Sequence, residues 1–215
     1  MTQGAANWFS FFPGEEIPFI LAAVLRCGDR LSKRDATELE NNLTDRLRDE
    51  LDRDPTLKAR PVELFREVPL YDRKRARQRP LGRSDLLFLF STGTRHPWPY
   101  FVLESKRLNV TFPSGWKSLV SEYVTGDQGM MCFINERYAA DLDSGGMLGY
   151  VFDTDVSGAR VAISNLIVKN RVILRAQSPS QLVPSSIISG ENRIHETTHS
   201  LSRGAFTIYH LFIPV

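Results

Sequence analysis

Two short apolar runs, joined by a single loop, constrain the fold of this chain more than any other feature. The runs are LLFLF over residues 86–90 and YFVLESK over residues 100–106. Both carry apolar side chains on both faces, which is typical of strands in the middle of a sheet that is covered on two sides. Asp85 precedes the first run, and Glu104 and Lys106 end the second. The pattern predicts a two-sided sheet with ionisable groups at one end of its central strands.

Periodicity elsewhere predicts the elements that surround these two strands. We expect three helices and three further strand regions: helices over residues 15–27, 32–51 and 157–169, strands over 62–71 and 148–152, and a hairpin over 192–214. Residues 116–140 have a helical pattern interrupted at Gly126 and Gly129. This order is typical of an α/β (α+β) domain with a central mixed sheet flanked by helices. We expect one domain over residues 1–215, with N-terminal helices at 15–52, a core at 62–169 and the C-terminal hairpin.

Composition excludes several other classes of protein. Hydrophobic residues make up 42% and charged residues 24%, which are ordinary values for a folded globular domain. No run approaches the ~18 apolar residues of a membrane span, and no signal-peptide pattern opens the chain, so we expect a cytoplasmic protein without membrane association. Cys27 and Cys132 match no metal-binding spacing and are expected to be buried thiols. The sequence leaves open whether the chain acts alone or as a homodimer.

Strand geometry brings the ionisable residues together. If the loop between the two runs reverses the chain, Asp85 lies beside Glu104. Side chains alternate along a strand, so Glu104 and Lys106 share a face with Tyr100 and Val102. A structural ion pair would explain an isolated Glu-x-Lys. Two carboxylates and an ammonium group at the end of an apolar strand are costly to desolvate, however, unless they pair or bind a metal, and two oxygen ligands suit Mg²⁺.

The segments SDLLFLF and YFVLESK resemble the PD-(D/E)XK nuclease superfamily, and the resemblance extends over roughly Ala36 to Ile167. It implies a restriction-endonuclease-like fold and an endonuclease that depends on Mg²⁺ or Mn²⁺. By this resemblance Asp85 and Glu104 would hold the metal, and Lys106 would assist the attacking water. Ser84 stands where the superfamily usually has proline, at a position that supplies no chemistry.

Members of the superfamily often add a glutamate from the preceding helix, and Glu40 is our candidate for this catalytic residue. On a helical wheel Glu40 lies close to an apolar stripe, whereas Glu38 lies on the opposite face and Glu50 lies several turns away. The stripe consists of Ala36, Leu39, Leu43, Leu47 and Leu51. The alternative is a boundary residue whose carboxylate reaches solvent.

The superfamily also often places a polar active-site residue on the element that follows the lysine. Four side chains in this chain are candidates, and the residues alone do not choose among them: Glu122, Tyr123, Gln128 and Arg137. The alternative is a kinked helix that packs through Tyr123, Met130 and Phe133 and supplies no chemistry.

A strongly basic loop lies directly before Asp85. It contains one lysine and five arginines, namely Arg73, Lys74, Arg75, Arg77, Arg79 and Arg83. The guanidinium fork suits phosphate oxygens, so we expect this loop to bind nucleic acid, with double-stranded DNA as the expected partner. The net charge of +2 is too small to argue this alone, and a solvated loop is the alternative.

The sequence also contains a literal HExxH motif, formed by His195, Glu196 and His199. This motif holds zinc only on a helix, since residues four apart on a strand are separated by about 13 Å. Adjacent threonines and alternation after Ile194 favour a strand, with His210 in the partner strand. A zinc metallopeptidase is therefore the least favoured alternative. A nuclease acting on phosphodiester bonds, with DNA preferred as the substrate, is the main expectation, and a catalytically inactive nucleic-acid-binding module is the second.

Overall fold

In a computed structural model of the chain, the residues described are 14–70, 82–90, 99–139 and 142–215. Their centre is a seven-stranded mixed sheet. Its strands are β1 (Val62–Leu70), β2 (Gly82–Phe90), β3 (Tyr100–Leu108), β6 (Ser144–Val151), β7 (Val183–Pro184), β8 (Ile194–Leu201) and β9 (Gly204–Pro214). Their order in the sheet is β1-β2-β3-β6-β9-β8-β7. β3, β6 and β9 run parallel to one another, and all other neighbours are antiparallel. Two short strands, β4 (Val110–Phe112) and β5 (Gly115–Lys117), form a separate hairpin.

Helices cover both faces of the sheet. The first face carries α1 (Ile17–Gly28), preceded by a 3-10 turn, together with α2 (Glu40–Leu51) and α3 (Pro55–Lys58). The second face carries α4 (Val120–Val124), α5 (Met131–Ile134) and α6 (Val156–Lys169). Each face closes over its own apolar core, and β3 contributes Phe101 and Leu103 to the first core and Val102 to the second. The predicted α/β architecture with a mixed sheet flanked by helices is confirmed.

The predicted second helix is wrong in its first half. Residues 32–39 are not helical and contain a turn at residues 34–37, and α2 begins only at Glu40. Local polar contacts favour the turn, because Asp35 accepts hydrogen bonds from the backbone and side chain of Thr37, and such bonds compete with helix formation. Leu39, assigned to the apolar stripe of a longer helix, is 61% exposed. The stripe that packs is therefore confined to Leu43, Leu47 and Leu51.

The region over residues 116–140 is less helical than its pattern predicts. It begins in the β4–β5 hairpin, and its helical part consists only of the short α4 and α5. The predicted interruption at the two glycines is confirmed. A Cβ atom at Gly129 would stand 2.3 Å from the carbonyl oxygens of Glu122 and Tyr123, so only glycine allows the two turns to approach this closely.

The remaining elements agree with their predictions apart from their ends. β2 begins at Gly82, so Asp85 lies inside this strand and not at its start. β6 begins at Ser144, and the C-terminal hairpin turns between Leu201 and Gly204 as expected. Cys27 and Cys132 are buried free thiols. Among the described residues, no helix has the length and apolar character needed to cross a membrane.

Candidate active site

The candidate site forms where two central strands separate. Pairing between β2 and β3 ends at Leu86 and Leu103, while β2 continues to pair with β1 as far as Gly82. Beyond this point, the backbone N–H groups of β3 no longer have a strand partner on that side. The Ser105 N–H donates to Asp85 Oδ2 at 2.7 Å, and the Arg107 N–H donates to Glu40 Oε2 at 2.9 Å. Two carboxylates thus take over the acceptor role of a neighbouring strand, which places them beside β3.

The Lys106 side chain links the remaining groups. Its Nζ donates to Glu104 Oε1 at 2.9 Å, to Glu40 Oε1 at 3.1 Å and to the Ser105 carbonyl oxygen at 2.5 Å. Because Glu40 is the first residue of α2, its carboxylate reaches β3 from the end of that helix. The structure therefore brings together Asp85, Glu104, Lys106 and Glu40, although the helical wheel that selected Glu40 assumed a helix extending further towards the N-terminus.

Burial and crowding perturb the titration of these groups. Burial raises the pKa of Glu104 well above its usual range, and the charge of Asp85 adds to this, while Lys106 acts in the opposite direction. Burial also raises the pKa of Glu40 against the opposing effect of Lys106. Burial alone would lower the pKa of Lys106, but the negative charges of Glu104, Glu40 and Asp85 outweigh it and raise that pKa. Three carboxylates therefore share a single ammonium group, and a cation bound beside them would favour the ionised form of Glu104.

One oxygen of the cluster has no hydrogen-bond partner among the described residues. It is Glu104 Oε2, which is buried, whereas Glu104 Oε1 is bonded to Lys106. Both bonds from Ser105 to Asp85 go to Oδ2, so neither uses Oδ1. A buried carboxylate oxygen without a donor is unfavourable in a protein interior, and a divalent cation is the kind of ligand that would satisfy it.

The number of carboxylates limits which metal site is feasible. Within the described ranges, no group of three His, Cys, Asp or Glu side chains is arranged to hold a metal ion. Glu40 does not provide a third ligand because both of its oxygens are engaged, by Lys106 and by the Arg107 backbone. Asp85 and Glu104 remain, and two protein carboxylates with water and substrate oxygens completing the shell suit Mg²⁺. The residues therefore fit an open Mg²⁺ site and not a closed protein cage.

Two other glutamates on and near α2 have structural roles. The helical wheel placed Glu38 on the face of a helix opposite the apolar stripe, but the structure places it elsewhere. It is buried, and its carboxylate accepts hydrogen bonds from the Arg34 backbone and the Arg46 guanidinium group. Glu50 forms surface ion pairs with Arg30 and Arg53.

The residues that follow Lys106 in the chain do not extend the cluster. In the part of the chain that the structure describes, none of the four polar candidates hydrogen bonds to the carboxylates or to Lys106. Glu122 and Gln128 are exposed, Tyr123 bonds to His210, and Arg137 donates to the Asp127 carbonyl. The packing alternative agrees with the structure, since Tyr123, Met130 and Phe133 are fully buried.

The basic loop lies mostly outside the described residues. This applies to Arg73, Lys74, Arg75, Arg77 and Arg79. Arg83 is described, and its side chain is exposed two residues before Asp85 on β2. Because side chains two residues apart on a strand share a face, one guanidinium group of the loop stands on the Asp85 side of the sheet.

The histidines of the HExxH motif lie on a strand. His195 and His199 belong to β8, and the predicted strand assignment is confirmed. Both ring nitrogens of His199 are engaged, Nδ1 with the Leu174 carbonyl at 2.8 Å and Nε2 with Thr197 Oγ1 at 2.7 Å. This geometry does not bring His195 and His199 together around a zinc ion, and the described residues provide no support for a metallopeptidase.

Sequence reasoning missed the hydroxyl groups behind the carboxylates. Ser105, the residue between Glu104 and Lys106, donates through both its backbone N–H and its Oγ to Asp85. Thr44 lies within 3.0 Å of Ser105 Oγ. A signal for Thr44 was present in the sequence, because it is a polar residue beside Leu43 in the apolar face of α2 and one turn after Glu40.

Comparison with known proteins adds no family assignment. No protein-family model, curated protein or solved structure matches the chain.

Proposed function

We propose that the chain is a metal-dependent nuclease of the restriction-endonuclease-like kind, which hydrolyses phosphodiester bonds of nucleic acid. The observation that carries this proposal is the buried Glu104 Oε2, which has no hydrogen-bond partner in the part of the chain that the structure describes. It lies beside Asp85 and next to a lysine held by two carboxylates. The order of elements supports it: a helix with Glu40, a strand with Asp85, and an adjacent strand with Glu104 and Lys106.

Each residue then has a distinct role in hydrolysis. Asp85 and Glu104 would hold Mg²⁺ or Mn²⁺, which supplies Lewis acidity towards a phosphate oxygen and a bound water. Lys106 would orient the attacking water and stabilise the charge that develops on the phosphate. Glu40 would keep the ammonium group in place through its hydrogen bond to Nζ. Water adds to phosphorus and the bond to one bridging oxygen breaks, leaving a phosphomonoester and a free hydroxyl group.

Charge near the site indicates the substrate class. The segment before β2 is rich in arginine, and Arg83 is exposed on β2 two residues before Asp85. Arginine binds phosphate oxygens through its planar fork, and a nucleic-acid backbone offers these oxygens in a regular array. We propose double-stranded DNA as the preferred substrate.

The direct test is a cleavage assay on the purified protein. Supercoiled plasmid, linear duplex DNA and RNA are incubated with Mg²⁺ or Mn²⁺, with and without EDTA, and the activity is followed across the protein peak of a sizing column. We expect cleavage of DNA that follows the protein and stops with EDTA. A protein that shifts DNA in a gel without cutting it under any of these metals would instead be the binding module, and the nuclease proposal would be wrong.

The role of the basic loop can be tested through its salt dependence. Replacing Arg75, Arg77 and Arg79 by alanine should weaken binding to unrelated duplexes to a similar degree. The slope of log affinity against log salt should become shallower by about 0.9 for each phosphate that the loop no longer neutralises. The measurement is a set of fluorescence anisotropy titrations at several salt concentrations. An unchanged slope would show that the loop is solvated surface. The control is replacement of Arg53, an exposed arginine that forms a surface ion pair with Glu50.

A further inference from the structure

A line of buried hydroxyl groups leads to the Asp85 carboxylate. Ser105 Oγ lies 2.7 Å from Asp85 Oδ2, Thr44 Oγ1 lies 3.0 Å from Ser105 Oγ, and the Tyr150 hydroxyl lies 3.2 Å from Thr44 Oγ1. The three residues come from three elements, β3, α2 and β6. All three are at most 2% exposed. The groups therefore have one another as partners in a part of the core with little access to water.

The direction of the hydrogen bonds follows from counting protons. An ionised Asp85 carboxylate only accepts, so the Ser105 hydroxyl donates to it. Ser105 Oγ has then used its hydrogen, and Thr44 must donate to it. Thr44 in turn accepts from Tyr150, whose hydroxyl is the first donor of the series. Every hydroxyl hydrogen in the line is thus directed towards Asp85.

We propose that Tyr150, Thr44 and Ser105 form a directed hydrogen-bond chain that fixes the Asp85 carboxylate for binding a divalent cation. The inference rests on the proposed function, because it takes Asp85 to be a metal ligand. Two donors from Ser105 hold Oδ2 against β3 and so prevent rotation of the carboxylate, which leaves Oδ1 as the ligand oxygen. Partners of this kind, which orient a ligand without contacting the metal, strongly affect metal affinity.

Helix α2 then positions both halves of the site. Glu40 and Thr44 lie one turn apart on the same face of α2. Glu40 bonds to Lys106 and to the Arg107 backbone, whereas Thr44 bonds to the chain behind Asp85. Helix α2 therefore fixes the positions of both the Lys106 ammonium group and the Asp85 carboxylate. This role accounts for a threonine in the apolar face of the helix.

A purely structural role predicts a different outcome. Buried hydroxyl groups need partners whatever their function, and removing one would then lower stability without changing metal affinity. Thr197 provides a matched control for this effect. It is a threonine that is 3% exposed, and its Oγ1 bonds to two histidines on β8 and β9 away from the cluster.

The test is calorimetric titration of the metal-free protein with Mn²⁺ in the absence of nucleic acid. Thr44→Val should weaken Mn²⁺ binding by about 10-fold, the lower end of the range for an orienting partner, because Thr44 acts on Asp85 through Ser105. Thr44→Ser restores the donor and should return the affinity to near the parent value. Tyr150→Phe removes the first donor and should have a smaller effect in the same direction. Thr197→Val should lower the melting temperature and leave Mn²⁺ affinity unchanged.

The outcomes separate this inference from the proposed function. If Thr44→Val and Tyr150→Phe both bind Mn²⁺ as tightly as the parent, the hydrogen-bond chain has no positioning role and the inference is overturned. The proposed nuclease function is not affected by that result. If Thr44→Val does not fold, Tyr150→Phe decides the question alone. If the affinity falls as expected but the parent cleaves no nucleic acid, the inference stands and the proposed function fails. A parent protein that binds no Mn²⁺ overturns both.

Discussion

Replacing Glu104 by glutamine is expected to remove Mg²⁺-dependent cleavage and, at the same time, to stabilise the metal-free protein at alkaline pH. The loss of cleavage should be at least about 1,000-fold, because a metal ion provides several kcal/mol of transition-state stabilisation and each ~1.4 kcal/mol is tenfold in rate. Glutamine retains the shape of the side chain and one acceptor oxygen for Lys106. It lacks the negative charge that holds a cation.

The gain in stability follows from the pKa of the same group. Burial and the charge of Asp85 raise the pKa of Glu104 in the folded protein above its unfolded value. A group with a raised pKa contributes stability that is fully present below the unfolded pKa and is lost as the pH rises through the folded pKa. Glutamine does not ionise and keeps this stability. The free energy of unfolding should therefore favour the variant increasingly from about pH 5 to about pH 9.

Two further variants are needed to interpret the Glu104→Gln result. Glu50→Gln removes a carboxylate from the same helix that carries Glu40, but at a surface ion pair, and should change neither cleavage nor the pH dependence. Lys106→Ala should abolish turnover with a much smaller effect on Mn²⁺ affinity, since Lys106 is not a metal ligand. Cleavage by Glu104→Gln at the parent rate would place the active site elsewhere in the chain.

The sequence predicted which charged groups lie together because strand geometry alone places them. Asp85 and Glu104 lie on neighbouring antiparallel strands, and Lys106 must share the face of Glu104, whatever surrounds them. The same local rules predicted the outlines of α6 and of the C-terminal hairpin. These elements depend on periodicity and turn chemistry, both of which are visible within a short window of sequence.

Contacts between distant residues explain what the sequence did not predict. The start of α2 depends on the Asp35 turn and on a buried Glu38 paired with Arg46. A helical wheel drawn over residues 32–51 represents neither contact. The apolar runs of β2 and β3 do not show where the two strands separate. At that point the carboxylates of Asp85 and Glu40 accept the β3 backbone hydrogen bonds that a neighbouring strand would otherwise accept. The hydroxyl chain joins residues that are far apart in the sequence, since Thr44 lies 61 positions from Ser105 and 106 positions from Tyr150.

The second large effect concerns the histidines of the C-terminal hairpin, which the proposed chemistry does not use. His199 Nδ1 donates to the Leu174 carbonyl, so in the neutral ring Nε2 accepts from Thr197. Thr197 Oγ1 accepts from His210 Nε2, and His210 Nδ1 accepts from the Tyr123 hydroxyl. Each hydrogen in this line has one acceptor. Protonating His199 would put a second donor against Thr197 and leave the threonine hydroxyl hydrogen without an acceptor.

Acidification should therefore destabilise the protein through His199. Burial lowers the pKa of His199 to about 4 in the folded protein, against about 6.5 in the unfolded chain. A lowered pKa contributes stability that is present above the unfolded value and is lost as the pH falls through the folded value. Over this window the loss is about 3 kcal/mol, since each pKa unit corresponds to ~1.4 kcal/mol.

The measurement is urea unfolding of the parent and of His199→Gln between about pH 7.5 and about pH 4. Glutamine offers a donor and an acceptor but does not titrate. The opposite pH dependence that Glu104 and Glu40 contribute is common to both proteins and cancels in the difference between their free energies of unfolding. That difference should move by about 3 kcal/mol in favour of the variant as the pH falls. Thr197→Val, which removes the central hydroxyl and keeps both rings, should be less stable than the parent at every pH yet retain its acid sensitivity. A parent and a His199→Gln variant that lose stability in parallel would mean that His199 is not held neutral by the fold.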